Sequence, residues 1–153
     1  MADGAISLRG EAQEVALAEA QAVRAMVRDE DRRERLASLV AAVQDGEVDG
    51  DDAAALEELL ELGLQTGRVR ALYGPGGEQA ALSTYRKLPR GAELSESASE
   101  VSAALQTFVG RPIDSISLRA VGPGAFLLSL GAGGVELSVR LDRQGARLNT
   151  VGI

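Results

Sequence analysis

Residues 135–142 read VELSVRLD, and their alternation decides the character of the C-terminal part of this chain. Val135, Leu137, Val139 and Leu141 occupy every second position, with Glu136, Ser138, Arg140 and Asp142 between them. A period of two sends successive side chains to opposite faces, so the stretch predicts a strand with one apolar and one polar face. ISLRAV (116–121), AFLLSL (125–130) and ARLNTV (146–151) are similar short runs. GPG, GAGG and RQG stand between the four as hairpin turns. The spacing predicts a four-stranded antiparallel meander.

Upstream the period changes from two to that of a helix. A helix at about 97–109, with Val101, Leu105 and Phe108 or Val109 inward, is the expected cover for the apolar sheet face. Four helices are expected before it. EAQEVALAEAQAVRAMV is Ala-rich, with Val15, Ala18, Ala22 and Met26 near one face. RDEDRRER (28–35) follows, and then the stripe Leu36, Leu39, Val40, Val43, so residues 10–44 form one bent helix or two. In the second case Asp29 or Asp31 caps the new helix. DDAAALEELLELGLQT (51–66) sets Leu56, Leu59, Leu60 and Leu64 on one face and is closed by Gly67. The segment GRVRALYGPGG breaks that pattern. EQAALSTYRKL (78–88) reads as the fourth helix, stopped by Pro89 and Gly91, with RGAELSES as a linker. The predicted architecture is α+β, with a helical region at 1–91 and a helix on a meander at 92–153, as two domains or one continuous domain.

Composition removes whole classes of chemistry. The 153 residues contain no Cys and no His, which excludes thiol nucleophiles, Ser-His-Asp arrangements and zinc sites built on those ligands. Any catalysis falls to carboxylates, hydroxyls, Tyr73, Tyr85 or the single lysine, Lys87. The first residues show no basic start followed by an apolar run, and no apolar run is long enough to span a bilayer, so the expectation is a cytoplasmic protein. Arginine for lysine, with abundant Ala and Gly, fits a GC-rich bacterial genome. At net charge −7 with 3% aromatic residues, the chain is not expected to bind nucleic acid.

The charge is unevenly spread. Residues 36–67 carry eight acids and no base, whereas 68–90 carry Arg68, Arg70, Arg86, Lys87 and Arg90 against Glu78 alone. The two segments either neutralise each other or form a bipolar surface that orients a charged partner. Gly74-Pro75-Gly76-Gly77 lacks the Lys and Ser/Thr of a phosphate loop, since Glu78 and Gln79 follow. What survives is a generic anion pocket with Arg68, Arg70 and Tyr73 beside it.

Asp45-Gly-Glu-Val-Asp-Gly-Asp-Asp52 resembles the second half of an EF-hand or dockerin calcium loop, which implies Asp45, Asp49 and Asp52 as ligands. Ala41 and Val43 fall on the first and third ligand positions and offer no side-chain oxygen, so the shell of six to eight oxygens does not close. The expectation is a hinge without metal, with Gly46 ending one helix and Asp49 or Asp51 capping the next. RRERLASLVAAVQDGEVDGDDAAALEELL (32–60) resembles an anti-sigma-28 regulator in its Arg-led helix, Gly-Asp turn and Leu-rich helix, but those regulators lack a sheet. The last third, a helix and a meander whose third strand ends in LDRQG, is similar to the small PepSY domains. That resemblance implies fold shape alone.

The functional expectation is a non-enzymatic, cofactor-free regulatory module whose partner is another protein, with a homo-oligomer as the second option. The helical half would be the contact region, and the sheet would provide rigidity or self-association. The expected contact residues are Arg68, Arg70, Tyr73, Gly76, Gly77, Tyr85, Arg86, Lys87 and Arg90. The alternative is a small-ligand or anion-binding module using the same segment.

Overall fold

The computed structural model describes residues 4–152; Met1–Asp3, where the expectation of an N-terminus without an export signal begins, lie outside the described residues. The architecture is α+β, with the helices N-terminal and the sheet C-terminal. Contacts divide the chain into two compact units, one ending at Ala92 and one beginning at Glu93, with the division inside a helix. No helix among the described residues is long and apolar enough to cross a membrane.

The first unit holds helices α1 (Gly10–Met26), α2 (Glu30–Asp45), α3 (Gly50–Gln65) and α4 (Arg68–Tyr85). Residues 10–44 are two helices. Val27 and Asp29 adopt extended backbone between them, and the Asp29 carboxylate accepts the Arg32 N–H at 2.8 Å, the N-cap bond that makes Asp a good helix starter. α1 and α3 each pack on α2 and α4. Leu39, Val43, Leu56, Leu60, Val69 and Leu88 are fully buried. α1 is rotated from the expected face: Val15, Ala16, Glu19 and Ala20 point inward, whereas Met26 is 61% exposed.

The acidic turn is tied from outside. β1 (Ile6–Ser7) pairs antiparallel with β2 (Glu47–Val48), and Leu8 N–H donates to the Gly46 carbonyl at 2.9 Å. Gln13 Nε2 donates to the carbonyls of Val43 at 2.8 Å and Gln44 at 3.2 Å, which satisfies the end of α2. Val48 is completely buried. Asp49 stands at the N-cap of α3, but its side chain makes no cap bond, and Asp51 lies inside the helix; neither caps as expected.

Two helix limits differ from the sequence reading, both because of proline. α4 begins at Arg68, ten residues before the expected start, and is interrupted only at Gly74 (φ 72°, ψ −176°). The residue before Pro75 is driven out of the helical region, and glycine alone takes this φ without strain. α5 (Pro89–Leu105) begins at the proline expected to stop α4, so RGAELSES is helical rather than a linker. Proline lacks only an N–H that the first turn leaves unpaired anyway, which makes it a good starter. Gly91 is needed there, because a Cβ would collide with the Tyr85 carbonyl across the short α4–α5 turn.

The second unit is the meander β3 (Ser115–Gly122), β4 (Ala125–Ala132), β5 (Val135–Asp142) and β6 (Gly145–Gly152), with strands adjacent in chain order. Bulges interrupt the register after Ala120 and Ser138. Val101 and Phe108, with Ala104 and Leu105 beside them, cover Ala132, Leu137 and Val139. Phe108, not Val109, is the inward residue, and it lies in a 3-10 turn that follows α5. Ser97 Oγ donates to the Ala146 carbonyl at 2.6 Å and fixes the helix over the start of β6.

Leu137 is 2% exposed, so Leu137→Ala should lower stability by roughly 2–5 kcal/mol, whereas Ser138→Ala on the other face should cost within about 0.5 kcal/mol. Equal shifts in the urea midpoint for the two variants would contradict the assigned register.

Candidate functional site

The predicted contact segment is built around a buried acid that composition and motif reading passed over. Glu19 lies on the inner face of α1 among alanines and is 1% exposed. A carboxylate taken out of water must find charge and hydrogen bonds where it lands. Arg68 Nε lies 3.2 Å from both Glu19 oxygens, and the Tyr73 hydroxyl donates to Glu19 Oε1 at 2.8 Å. The first half of α4 therefore supplies both partners to one carboxylate of α1. Burial raises the Tyr73 phenol, the bond to Glu19 and its negative charge raise it further, Arg68 opposes, and the result is about 12.

Arg90 closes a second lock. Its backbone N–H donates to Glu57 Oε1 at 3.1 Å and its Nη1 to Glu61 Oε2 at 2.8 Å, which ties the start of α5 to α3. Glu57 is 6% exposed. Tyr85 is buried beside this pair, and burial followed by the charges of Glu61 and Glu57 raises its phenol, with Arg90 opposing. Arg70 pairs with Glu78 at 3.2 Å on an exposed surface. Gly76 and Gly77 begin the second half of α4, against Glu11 and Val15 of α1. A Cβ on Gly76 would stand 3.0 Å from a Glu11 carboxylate oxygen, and Gly77 has no room for one beside Tyr73.

The structure thus brings Arg68, Tyr73, Tyr85 and Arg90 together with acids of the same chain. Arg86 and Lys87 are exposed and enter no ion pair among the described residues. A phenol held protonated is a hydrogen-bond donor and not a base at neutral pH. An open depression lined by Asp31, Glu34, Arg35 and Ser38 includes none of the 68–90 residues. Asp45, Asp49 and Asp52 lie on the strapped turn, and no group of three acids placed to hold a metal ion occurs among the described residues.

The sheet unit presents a different surface. Cross-strand rows place Ile116, Leu130, Leu137 and Val151 side by side, and likewise Leu118, Leu128, Val139 and Leu148. Leu137 and Val139 are covered, yet Ile116 is 67%, Leu118 61% and Val151 62% exposed. Phe126, in the next row with Ala120, Leu141 and Ala146, is also exposed. The opposite face carries a Ser117, Ser129, Ser138, Thr150 row and a row with Arg119, Arg140 and Arg147. Arg140 and Arg147 each reach Asp142 at 3.0 Å. The bond from Arg140, then the Gln144 N–H and Arg147, holds the Asp142 carboxyl below its usual range. The apolar face was legible in the alternation; its partial exposure was not.

No protein-family model matches this chain, and no curated protein or solved structure is significantly similar to it.

Removing Arg68 strands a buried carboxylate, so Arg68→Ala should cost roughly 3–5 kcal/mol, whereas Arg70→Ala breaks an exposed pair and should cost about 0–1 kcal/mol. Urea midpoints that place the two together would refute the Glu19 lock. Tyr73 binds its proton more tightly folded (about 12) than unfolded (10.0), so its contribution is complete below pH 10 and is lost as pH rises through 10 toward 12. The melting temperature should therefore fall more between pH 9 and 11 (about one unit below and above that onset) in the parent than in Tyr73→Phe. Parallel curves would show that the phenol is not held by Glu19.

Proposed function

We propose that this chain is a bacterial, cytoplasmic protein-binding module without catalysis of its own, and that its principal contact is the uncovered part of the sheet's apolar face. The observation that carries this reading is the exposure of Ile116, Leu118, Phe126 and Val151 on a face whose centre is core. Large apolar side chains left in water along the edges of a core face are candidate contact surface in a folded protein. The helical unit supports the reading differently from the sequence expectation. Arg68 and Arg90 pair with Glu19, Glu57 and Glu61, and Arg70 with Glu78, so the cations of the segment without an ion pair among the described residues are Arg86 and Lys87. The anion-binding alternative has less support, because those pairings and the Glu11 carboxylate beside Gly76 occupy the place an anion would take.

The test is capture from an extract of the native host by the immobilised full chain, with bound proteins identified by mass spectrometry. Ile116→Arg with Leu118→Arg should abolish specific capture, and Arg86→Glu with Lys87→Glu should leave it intact. Loss with the second pair alone, together with loss in high salt, would move the contact to the 68–90 segment and overturn the assignment to the sheet. Capture that neither pair affects would overturn both.

A further inference from the structure

The polar face of the sheet, opposite the one α5 covers, gathers the cations of its unit. Arg119 (β3), Leu127 (β4), Arg140 (β5) and Arg147 (β6) stand side by side in one cross-strand row. The glutamates Glu93, Glu96 and Glu100 belong to α5, on the other side of the sheet. Glu136, the one acid of the strands besides Asp142, lies two rows away from Arg140 along β5.

Asp142 organises one end of this row. Its carboxylate accepts from Arg140 Nε and Arg147 Nη2, each at 3.0 Å, and from the Gln144 N–H at 2.9 Å. The Asp142 side chain is 15% exposed, whereas those of Arg140 and Arg147 are 44% and 48% exposed. A guanidinium has several N–H donors in a fixed fork, so both arginines keep donors for a further acceptor while Asp142 holds them in place. Two cations on one acid leave one positive charge in excess. Arg119 is exposed, enters no ion pair among the described residues, and adds a second. Between these two cationic points lies the half-buried, uncharged Leu127.

We propose that this face binds an extended acidic segment of another protein, with one acid over Arg119, an apolar residue over Leu127 and a second acid between Arg140 and Arg147. The spacing suits such a segment. Strands about 4.8 Å apart put Arg119 about 12 Å from the midpoint of Arg140 and Arg147. In an extended peptide, residues four apart on one side are about 13.5 Å apart, with one residue midway. The neighbouring row of Ser117, Ser129, Ser138 and Thr150 offers hydroxyls, donors and acceptors alike, to the backbone of the segment. Charge selects among anions. The chain carries −7 in all, which repels a long polyanion, whereas a local excess of two matches two carboxylates. No aromatic residue stands on this face of the strands to stack a nucleic-acid base. An open sheet face also lacks the walls that would enclose a small free anion.

The test is titration of the isotope-labelled full chain with the peptide Thr-Asp-Thr-Leu-Thr-Asp-Thr, followed by amide NMR. Amides around Arg119, Leu127 and Arg140 should shift, and the Asn-for-Asp peptide should leave them in place. Arg119→Gln and Arg147→Gln should each weaken binding by about fivefold and the double variant should abolish it, all with unchanged circular dichroism spectra. Arg111→Gln, outside the row, should bind as the parent does. Leu118→Thr alters the opposite, apolar face and should also bind as the parent does, so loss of this site and loss of the apolar contact are read separately. An Asp peptide that shifts no amide of β3–β6 at millimolar concentration, or one matched by its Asn counterpart, overturns the proposal. Tripolyphosphate or an oligo-dT that binds this row more tightly than the peptide, and is lost with the same arginine variants, makes it a polyanion site and overturns the acidic-segment assignment.

Discussion

A carboxylate buried among helices has to be answered from within, and Glu19 sets that requirement at the centre of the first unit. Its two oxygens are met by Arg68 and Tyr73, both from the first half of α4, so α4 must run helical from Gly67 to present them together. The interruption at Gly74 comes after both partners are placed. Alanine is what allows this geometry. Ala16 and Ala20, each essentially inaccessible, flank Glu19 and keep α1 thin enough for α4 to approach. A stripe that looks weak as hydrophobic driving force is the condition for an ionic lock between helices. Such a lock specifies which helix faces which more than it adds net stability, because desolvation offsets much of the attraction.

The same economy of side chains engages most of the positive segment within the chain. Opposed charge runs at 36–67 and 68–90 suggest a dipole on the outside of the protein. The fold turns part of it inward: Arg90 bridges Glu57 and Glu61, Arg68 leaves its run for α1, and Arg70 finds Glu78 within its own helix. Arg70 and Arg90 stay largely in water, so these pairings offset their charge without hiding them. The surface with unmet physical demand is the apolar face beside α5, where water touches isoleucine and leucine side chains that belong to the same rows as the core. A narrow helix on a broad sheet leaves that demand open.

Much of this architecture could be read along the chain. Alternation in VELSVRLD, the Gly-containing turns and the stripe Leu36, Leu39, Val40, Val43 depend on neighbours within a few residues, where strand and helix periods are fixed by backbone geometry. The helix limits at 68–77 and 89–96 were misread for a local reason. Pro75 lies inside α4 just beyond the kink at Gly74, and Pro89 stands in the first turn of α5, where proline starts a helix. β1 and β2, two residues each and 40 apart, left no periodic signal. For the candidate site the residue types were legible: arginines, tyrosines and glycines clustered at 68–90. Their engagement was not, because Glu19 lies 49 residues from Arg68 and resembles any other exposed helical acid in a sequence.

Sequence by itself determined the α+β order, the helical unit before the meander, the one-sided apolar character of the strands and the absence of His and Cys chemistry. Each of these follows from composition or from a repeat shorter than one turn or one pleat. Tertiary structure alone decided that α1 turns Glu19 inward, that most of the basic segment pairs with the chain's own acids, and that one helix leaves the edges of an apolar sheet face open. Those outcomes depend on which elements meet and on how wide each one is. The period of a sequence tells a side chain which face it occupies, but not what stands opposite.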